Sequence, residues 1–160
     1  MKSKNIIWIV IGIIAITMAF FIALGNSSEK YGFVENIGGE IAIYKSSSCG
    51  CCEAYGDYFK SKGNSNTEVI NSENADATKN KYGVPRELQS CHTTIIGGYF
   101  VEGHIPLEAI DKLIKENPNI AGIAMPGMPS GSPGMPGAKT EDFIIFSVNR
   151  DGTYQEFMRI

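Results

Sequence analysis

Three of the four cysteines fall within four positions, as Cys49-Gly50-Cys51-Cys52. The fourth, Cys91, is followed directly by His92, and the second histidine is His104. All thiol and imidazole chemistry therefore lies between residues 49 and 104. Three uses of the thiols compete. The Cys49 and Cys52 pair has the C-x-x-C spacing of dithiol oxidoreductases. Cys51 lies inside that pair, where it would compete for either sulfur. Structural disulfides staple distant segments, which such crowded cysteines do poorly. Metal ligation can use all four. Thiolate, imidazole and thioether donors together suit Cu(I), with zinc next. A structural zinc site usually draws on two separated C-x₂₋₄-C pairs, a pattern absent here. Adjacent side chains at Cys51 and Cys52 diverge, so four sulfurs around one ion would strain the turn. Bridging several Cu(I) ions relieves that strain, and the spacing favours a multinuclear copper site.

The remaining donors keep two readings each. His92, beside Cys91 in a loop, is a ligand or acid–base group, or else a hydrogen-bonded packing histidine. His104, framed by Gly103 and Pro106, has the same alternatives. Met125, Met128 and Met135 lie in a Met-Pro-Gly stretch, residues 125–137. As flexible thioethers they fill gaps under a flap, or they cover and pass on copper.

The elements that must position these groups follow from periodicity and punctuation. Ile41–Tyr44 reads as a buried strand, and Ser46-Ser47-Ser48 supplies a loop rich in helix N-cap residues. Cys49–Lys62 then reads as a helix, with Tyr55, Tyr58 and Phe59 facing the core and Gly63 as its stop. Helix starts carry unpaired N–H groups and positive dipole character, which favour thiolate over thiol. A strand follows at Thr67–Ile70, then a short helix within 71–82, a turn from Pro85 to Leu88, and a strand at Thr93–Ile96. Gly97-Gly98 turns the chain into Tyr99–Val101, and Pro106–Glu116 is an amphipathic helix bearing Leu107, Ile110, Leu113 and Ile114. The order β-α-β-α-β-β-α predicts an α/β, thioredoxin-like fold. In that architecture the loop before the third strand lies beside the cysteines at the first helix and normally carries a cis-proline. Here it carries Cys91-His92, so Cys91 is expected to meet the other sulfurs. Residues 117–139 differ in composition from the rest, Met125–Gly137 reads as a long loop that can form no regular helix or strand, and Phe143–Val148 and Thr153–Met158 read as an added hairpin about Asp151-Gly152.

The N-terminus is a different kind of segment. Lys2 and Lys4 precede 19 uncharged residues, Ile6–Leu24. That length spans a bilayer core of roughly 30 Å as a helix, and exceeds the apolar stretch of a usual cleaved signal. Residues 1–25 are read as a signal anchor or signal peptide, 26–39 as a tether and 40–160 as the folded domain. The domain is then extracytoplasmic, held at the inner membrane through residues 6–24 or secreted after cleavage. A net charge of −3 with no basic stripe argues against nucleic-acid binding.

Tyr44-Lys45-Ser46 before the cysteine cluster, Gly83-Val84-Pro85, Ser90-Cys91-His92-Thr93, Gly97-Gly98-Tyr99, Gly103-His104-Ile105-Pro106, Pro126-Gly127-Met128-Pro129 and Gly131-Ser132-Pro133-Gly134-Met135 together resemble the CopG-like family of bacterial copper-resistance proteins, long described as predicted metal-binding. The resemblance covers roughly residues 41 to 160. It implies a periplasmic, thioredoxin-like domain with a cysteine-bridged copper cluster and a role in copper redox handling. Cys49, Cys51, Cys52 and Cys91 would be its bridging ligands, with His92, His104, Met128 and Met135 as further ligands or neighbours. Two departures stand out: Tyr55 where the family usually has tryptophan, and Pro136 where it tends to have an acidic residue. The expected function is a copper-binding protein of the cell envelope that holds several Cu(I) ions, with copper oxidoreductase activity left open. Its partners would be copper ions and other envelope copper-handling or redox proteins. A thiol–disulfide oxidoreductase using Cys49 and Cys52, and a zinc-stabilised structural domain, are the alternatives.

Overall fold

The structure, a computed structural model, describes residues 12–14, 16–17 and 31–160. The apolar run at 6–24 lies largely outside the described residues, and none of the described helices is long and apolar enough to cross a membrane. From residue 31 the elements are α1 (Gly32–Asn36), β1 (Ala42–Lys45), α2 (Gly50–Lys62), β2 (Glu68–Asn71), α3 (Ala75–Lys81), a 3₁₀ turn (Arg86–Leu88), β3 (His92–Ile96), β4 (Tyr99–Glu102), α4 (Leu107–Glu116), β5 (Gly122–Ala124), β6 (Ile144–Val148) and β7 (Tyr154–Arg159). All seven strands form one sheet in the order β2-β1-β3-β4-β5-β6-β7. β1 runs parallel to β2 and antiparallel to β3, and β3 runs antiparallel to β4. β4 is parallel to β5, and the last two pairings are antiparallel.

The sheet is covered on both faces, because successive strand residues point to opposite sides. Ile43, Ile96, Val101, Ile123 and Ile145 belong to a large core with Tyr55 and Phe59 of α2 and Ile110 and Leu113 of α4. Ile95, Phe100, Ala124, Phe146 and Val148 turn the other way, into a smaller cluster with Val84 and Leu88. A fully buried phenylalanine such as Phe59 contributes about 1.5–3 kcal/mol. Helix α2 starts at Cys49 as N-cap and stops at Gly63, whose N–H donates to the Phe59 carbonyl. Asn117, at φ 44°, closes α4 in the left-handed conformation.

Two stretches differ from expectation. Residues 31–37 do not form a free tether. Val34 of α1 is fully buried in the main core, and Asp111 of α4 accepts the N–H groups of Phe33 and Val34 at 2.8 and 3.2 Å. Gly-Phe-Val is a weak helical sequence, and tertiary burial of Val34 overrides its propensity. Between α4 and the Met-Pro-Gly stretch, where the sequence reading placed no element, Gly122–Ala124 joins β4 to the terminal hairpin as a central strand, and residues 125–137 hold no helix or strand. The three strand residues are too few for periodicity to reveal. The seven strands are therefore continuous, and the hairpin extends the sheet through β5.

Candidate metal centre

The sheet register brings the site together. Lys45, the last residue of β1, pairs with His92, the first of β3. Whatever follows Lys45 and whatever precedes His92 must lie at the same sheet end, which sets the Cys49–Cys52 turn beside Cys91. Thr93 pairs with Glu102 at the end of β4, and Glu102 with Ala124 at the end of β5. His104 and the Met-Pro-Gly segment therefore leave the sheet at that end too.

The four sulfurs of Cys49, Cys51, Cys52 and Cys91 lie within 4.8 Å of one another. A second group, Cys52, Cys91, His92 and His104, meets the same limit. Cys52 and Cys91 belong to both. Cys49 Sγ is 3.5 Å from Cys51 Sγ, and Cys91 Sγ is 3.0 Å from His104 Nε2 and 3.6 Å from His92 Nδ1. Cys52, His92 and His104 are fully buried, whereas Cys49, Cys51 and Cys91 are partly exposed. Cys49 and Cys52 are joined as a disulfide, and Cys51 and Cys91 are free thiols. A bridged sulfur is not a thiolate ligand, so the full set of four thiolates exists only after two-electron reduction of this bond.

The imidazoles are prepared as neutral donors. His104 Nδ1 lies 2.7 Å from the Pro133 carbonyl, which can only accept, so the ring proton sits on Nδ1. Nε2 then keeps its lone pair towards Cys91, the tautomer a metal ligand needs. Burial lowers the His104 pKa. Burial lowers that of His92 further, aided by His104 and Lys79. His92 Nε2 is buried without a hydrogen-bond partner, which leaves one more donor unspent. Burial and the neighbouring Cys51 push the Cys91 thiol up to about 11, so without a cation it stays protonated. A bound cation reverses that preference, since coordination deprotonates a thiol. Sulfur and neutral imidazole in a buried corner fit a soft ion.

Tyr55 frames the floor. Its ring lies 4.4 Å from that of His92 and 5.5 Å from that of His104, and its hydroxyl donates to the Ile105 carbonyl at 2.9 Å. The Met-Pro-Gly segment passes over the helix start. Gly134, at φ 80°, sits so close that a Cβ there would be 2.7 Å from both the Cys51 carbonyl oxygen and the Tyr55 nitrogen. Only glycine fits this conformation and this approach. Ser90 Oγ donates to the Gly127 carbonyl at 2.6 Å and pins the segment's other end beside Cys91. The methionines separate: Met125 is buried in the core, Met135 is half-buried next to Gly134, and Met128 is 55% exposed.

Sequence reasoning missed the polar support behind Cys91. Lys79 of α3 and Glu102 of β4 form a buried ion pair. Glu102 also accepts from Thr93 Oγ1 and from the backbone N–H of Ser90, both at 2.6 Å. A glutamate closing the apolar run Tyr99-Phe100-Val101 was the available signal; nothing marked Lys79 among the lysines of a polar helix.

A family model described as a protein of unknown function, DUF411, matches residues 88–135, a span that holds Cys91, both histidines and Met128 and Met135. Comparison with curated proteins finds no match. A solved structure named copper resistance protein CopG, form 1, is similar with a TM-score of 0.69 and 34% identity, over 76% of this chain and 96% of that one. Form 2 of that protein matches with a TM-score of 0.67 and 33% identity, over 76% and 97%. The chain belongs to the CopG family. The expected family resemblance is thus shown by sequence and structure together. Within this CopG-family chain the cysteine cluster, Cys91 and both histidines form one corner, a group of donors that could bind metal.

Proposed function

We propose that this protein binds copper in the cell envelope and holds Cu(I) through Cys49, Cys51, Cys52 and Cys91, with His92 and His104 as nitrogen donors. The observation that carries this reading is the sharing of Cys52 and Cys91 between two adjacent donor groups. Shared thiolates are what bridge one ion to the next, which supports a site of more than one copper. Similarity to proteins named for copper resistance supports the choice of metal. Soft sulfur donors favour Cu(I) over harder ions. Met135, beside the Gly134 contact, and exposed Met128 are read as thioether donors on the cover of the site. The strand order β2-β1-β3-β4 with α2 following β1 supports a thioredoxin-like core. Residues 1–25 would place that core outside the cytoplasm, anchored or released, within reach of envelope copper-handling and redox proteins.

Elemental analysis of protein purified with reductant tests the reading. Copper above one ion per chain is expected. One zinc per chain that is required for folding would replace it with a zinc-stabilised domain. The Cys49–Cys52 bridge favours one further reading, a thiol–disulfide oxidoreductase. A metal-free protein that reduces disulfides and still does so after Cys91→Ser would establish that alternative.

A further inference from the structure

We infer that the anchored chain enters the domain at the pole opposite the metal centre, so that the donors face away from the bilayer and trade metal with a water-soluble carrier, not with a partner inside the membrane. This rests on the anchor reading of residues 6–24 for the orientation, and on the copper reading above for what is traded.

Helix α2 and strand β3 each have one end at the metal centre. Cys49 caps the start of α2 and Gly63 its end, and 13 residues at about 1.5 Å each put the two ends about 20 Å apart. His92 opens β3, and the Gly97-Gly98 turn follows its 5 residues, about 17 Å away. α1 packs at the far end of both elements. A Cβ on Gly63 would lie 3.3 Å from Val34 Cγ1, and one on Gly97 would lie 2.7 Å from Ile37 Cδ1. Asn64, just past α2, donates its side-chain amide to the Val34 and Glu35 carbonyls, both at 3.0 Å. With the Asp111 carboxylate accepting from Phe33 and Val34, these contacts make α1 a fixed part of the domain.

The leash between anchor and α1 is short. The apolar run ends at Leu24 and the folded part begins at Tyr31. Even fully extended, the chain from Leu24 to Tyr31 spans at most about 25 Å. Turning the metal centre to the bilayer would lay about 20 Å of that taut along the side of α2. The remainder barely crosses one headgroup layer of about 5–7 Å. The outward pole is the open one: Cys49, Cys51 and Cys91 are partly exposed there, and Met128 on the covering segment is exposed. A soft ion leaves such a face by ligand exchange, so the carrier presents thiolate or thioether donors of its own.

The experiment places full-length, metal-free protein in lipid nanodiscs that carry a gadolinium-chelating lipid, and follows amide signals by NMR. Val34, Asn64 and Gly98 should lose intensity to the lipid-bound gadolinium, whereas Cys51, Cys91 and Gly134 should keep it. Inserting about twenty Gly and Ser residues between Lys30 and Tyr31 adds about 25 Å of flexible leash and should erase the contrast. Equal loss at both poles, greater loss at Cys91, a contrast that survives the insertion, or protein cleaved and released from its membrane would overturn the orientation. The partner class is read on Cu(I)-loaded protein in the same discs. A Cu(I) chelator coupled to lipid should extract copper about ten-fold or more slowly than the same chelator free in water, because its tether cannot span to the site. Equal rates would overturn the assignment of a soluble carrier. No bound Cu(I) at all overturns the copper reading alone, since the amide measurement needs no copper.

Discussion

Two buried polar clusters meet at the start of β3, one on either side of His92. Behind the strand, the Lys79 ammonium donates to Thr93 and Glu102, and Glu102 also accepts from Thr93 and the Ser90 N–H. Cation, carboxylate, hydroxyl and backbone close on one another. In front, His92 Nε2 has no hydrogen-bond partner, and Cys51 and Cys91 are unbridged thiols. Lys79, Glu102, His92 and His104 are all at most 4% exposed, so exposure does not separate the ion pair from the imidazoles, while the thiols Cys51 and Cys91 are partly exposed. A network that only holds a fold together leaves nothing unpaired, because an unpaired buried group costs stability. A site that takes a ligand keeps donors in reserve.

Breaking each cluster should therefore have different consequences. Glu102→Ala leaves the Lys79 cation buried and unpaired, and should cost about 3–5 kcal/mol in urea unfolding. Burial raises the Glu102 pKa even though Lys79, the Thr93 hydroxyl and the Ser90 N–H pull it down, so the pair's desolvation is the larger effect. Replacing both partners, Lys79→Met with Glu102→Leu, should recover most of that loss. On the other side, Cys91→Ser and Cys51→Ser should each reduce bound copper by about half or more, with metal-free stability changing by less than about 1 kcal/mol. If Cys91→Ser unfolds the protein as Glu102→Ala does, the contrast between the clusters fails.

Two smaller effects sharpen the comparison. Gly134→Ala puts a side chain at φ 80° against the Cys51 carbonyl. It should cost about 1–3 kcal/mol and speed Cu(I) loss to a competing chelator, since it lifts the cover from the site. Tyr55→Phe removes one buried hydrogen bond to Ile105, and should cost about 1 kcal/mol with copper content unchanged. A loss of copper in that variant would move Tyr55 from the frame of the site into its working part.

Much of this geometry was legible in the sequence. Gly63 after two lysines marked the end of the helix that carries the thiols, because a stop is local chemistry; the serines before the cluster do not cap it, since Cys49 is the N-cap and no side chain bonds the helix start. The Gly97-Gly98 turn fixed the β3–β4 pairing, and with it the sheet end where Cys91 and His104 meet. What stayed hidden depends on distant partners. Val34 is buried by α4 and not by its neighbours in the chain, and three-residue β5 has no period to read. The Lys79–Glu102 pair joins residues 23 apart, and no spacing rule connects them. The Cys49–Cys52 bridge was visible only as one of several pairings. The sequence held the donors plainly but left open which would bond to each other.

X-ray absorption at the copper edge of Cu(I)-loaded, reduced protein addresses the copper site most directly. Shared Cys52 and Cys91 sulfurs predict a sulfur-dominated shell with a nitrogen contribution and copper–copper scattering. A single isolated copper, or a shell of nitrogen and oxygen alone, would contradict it.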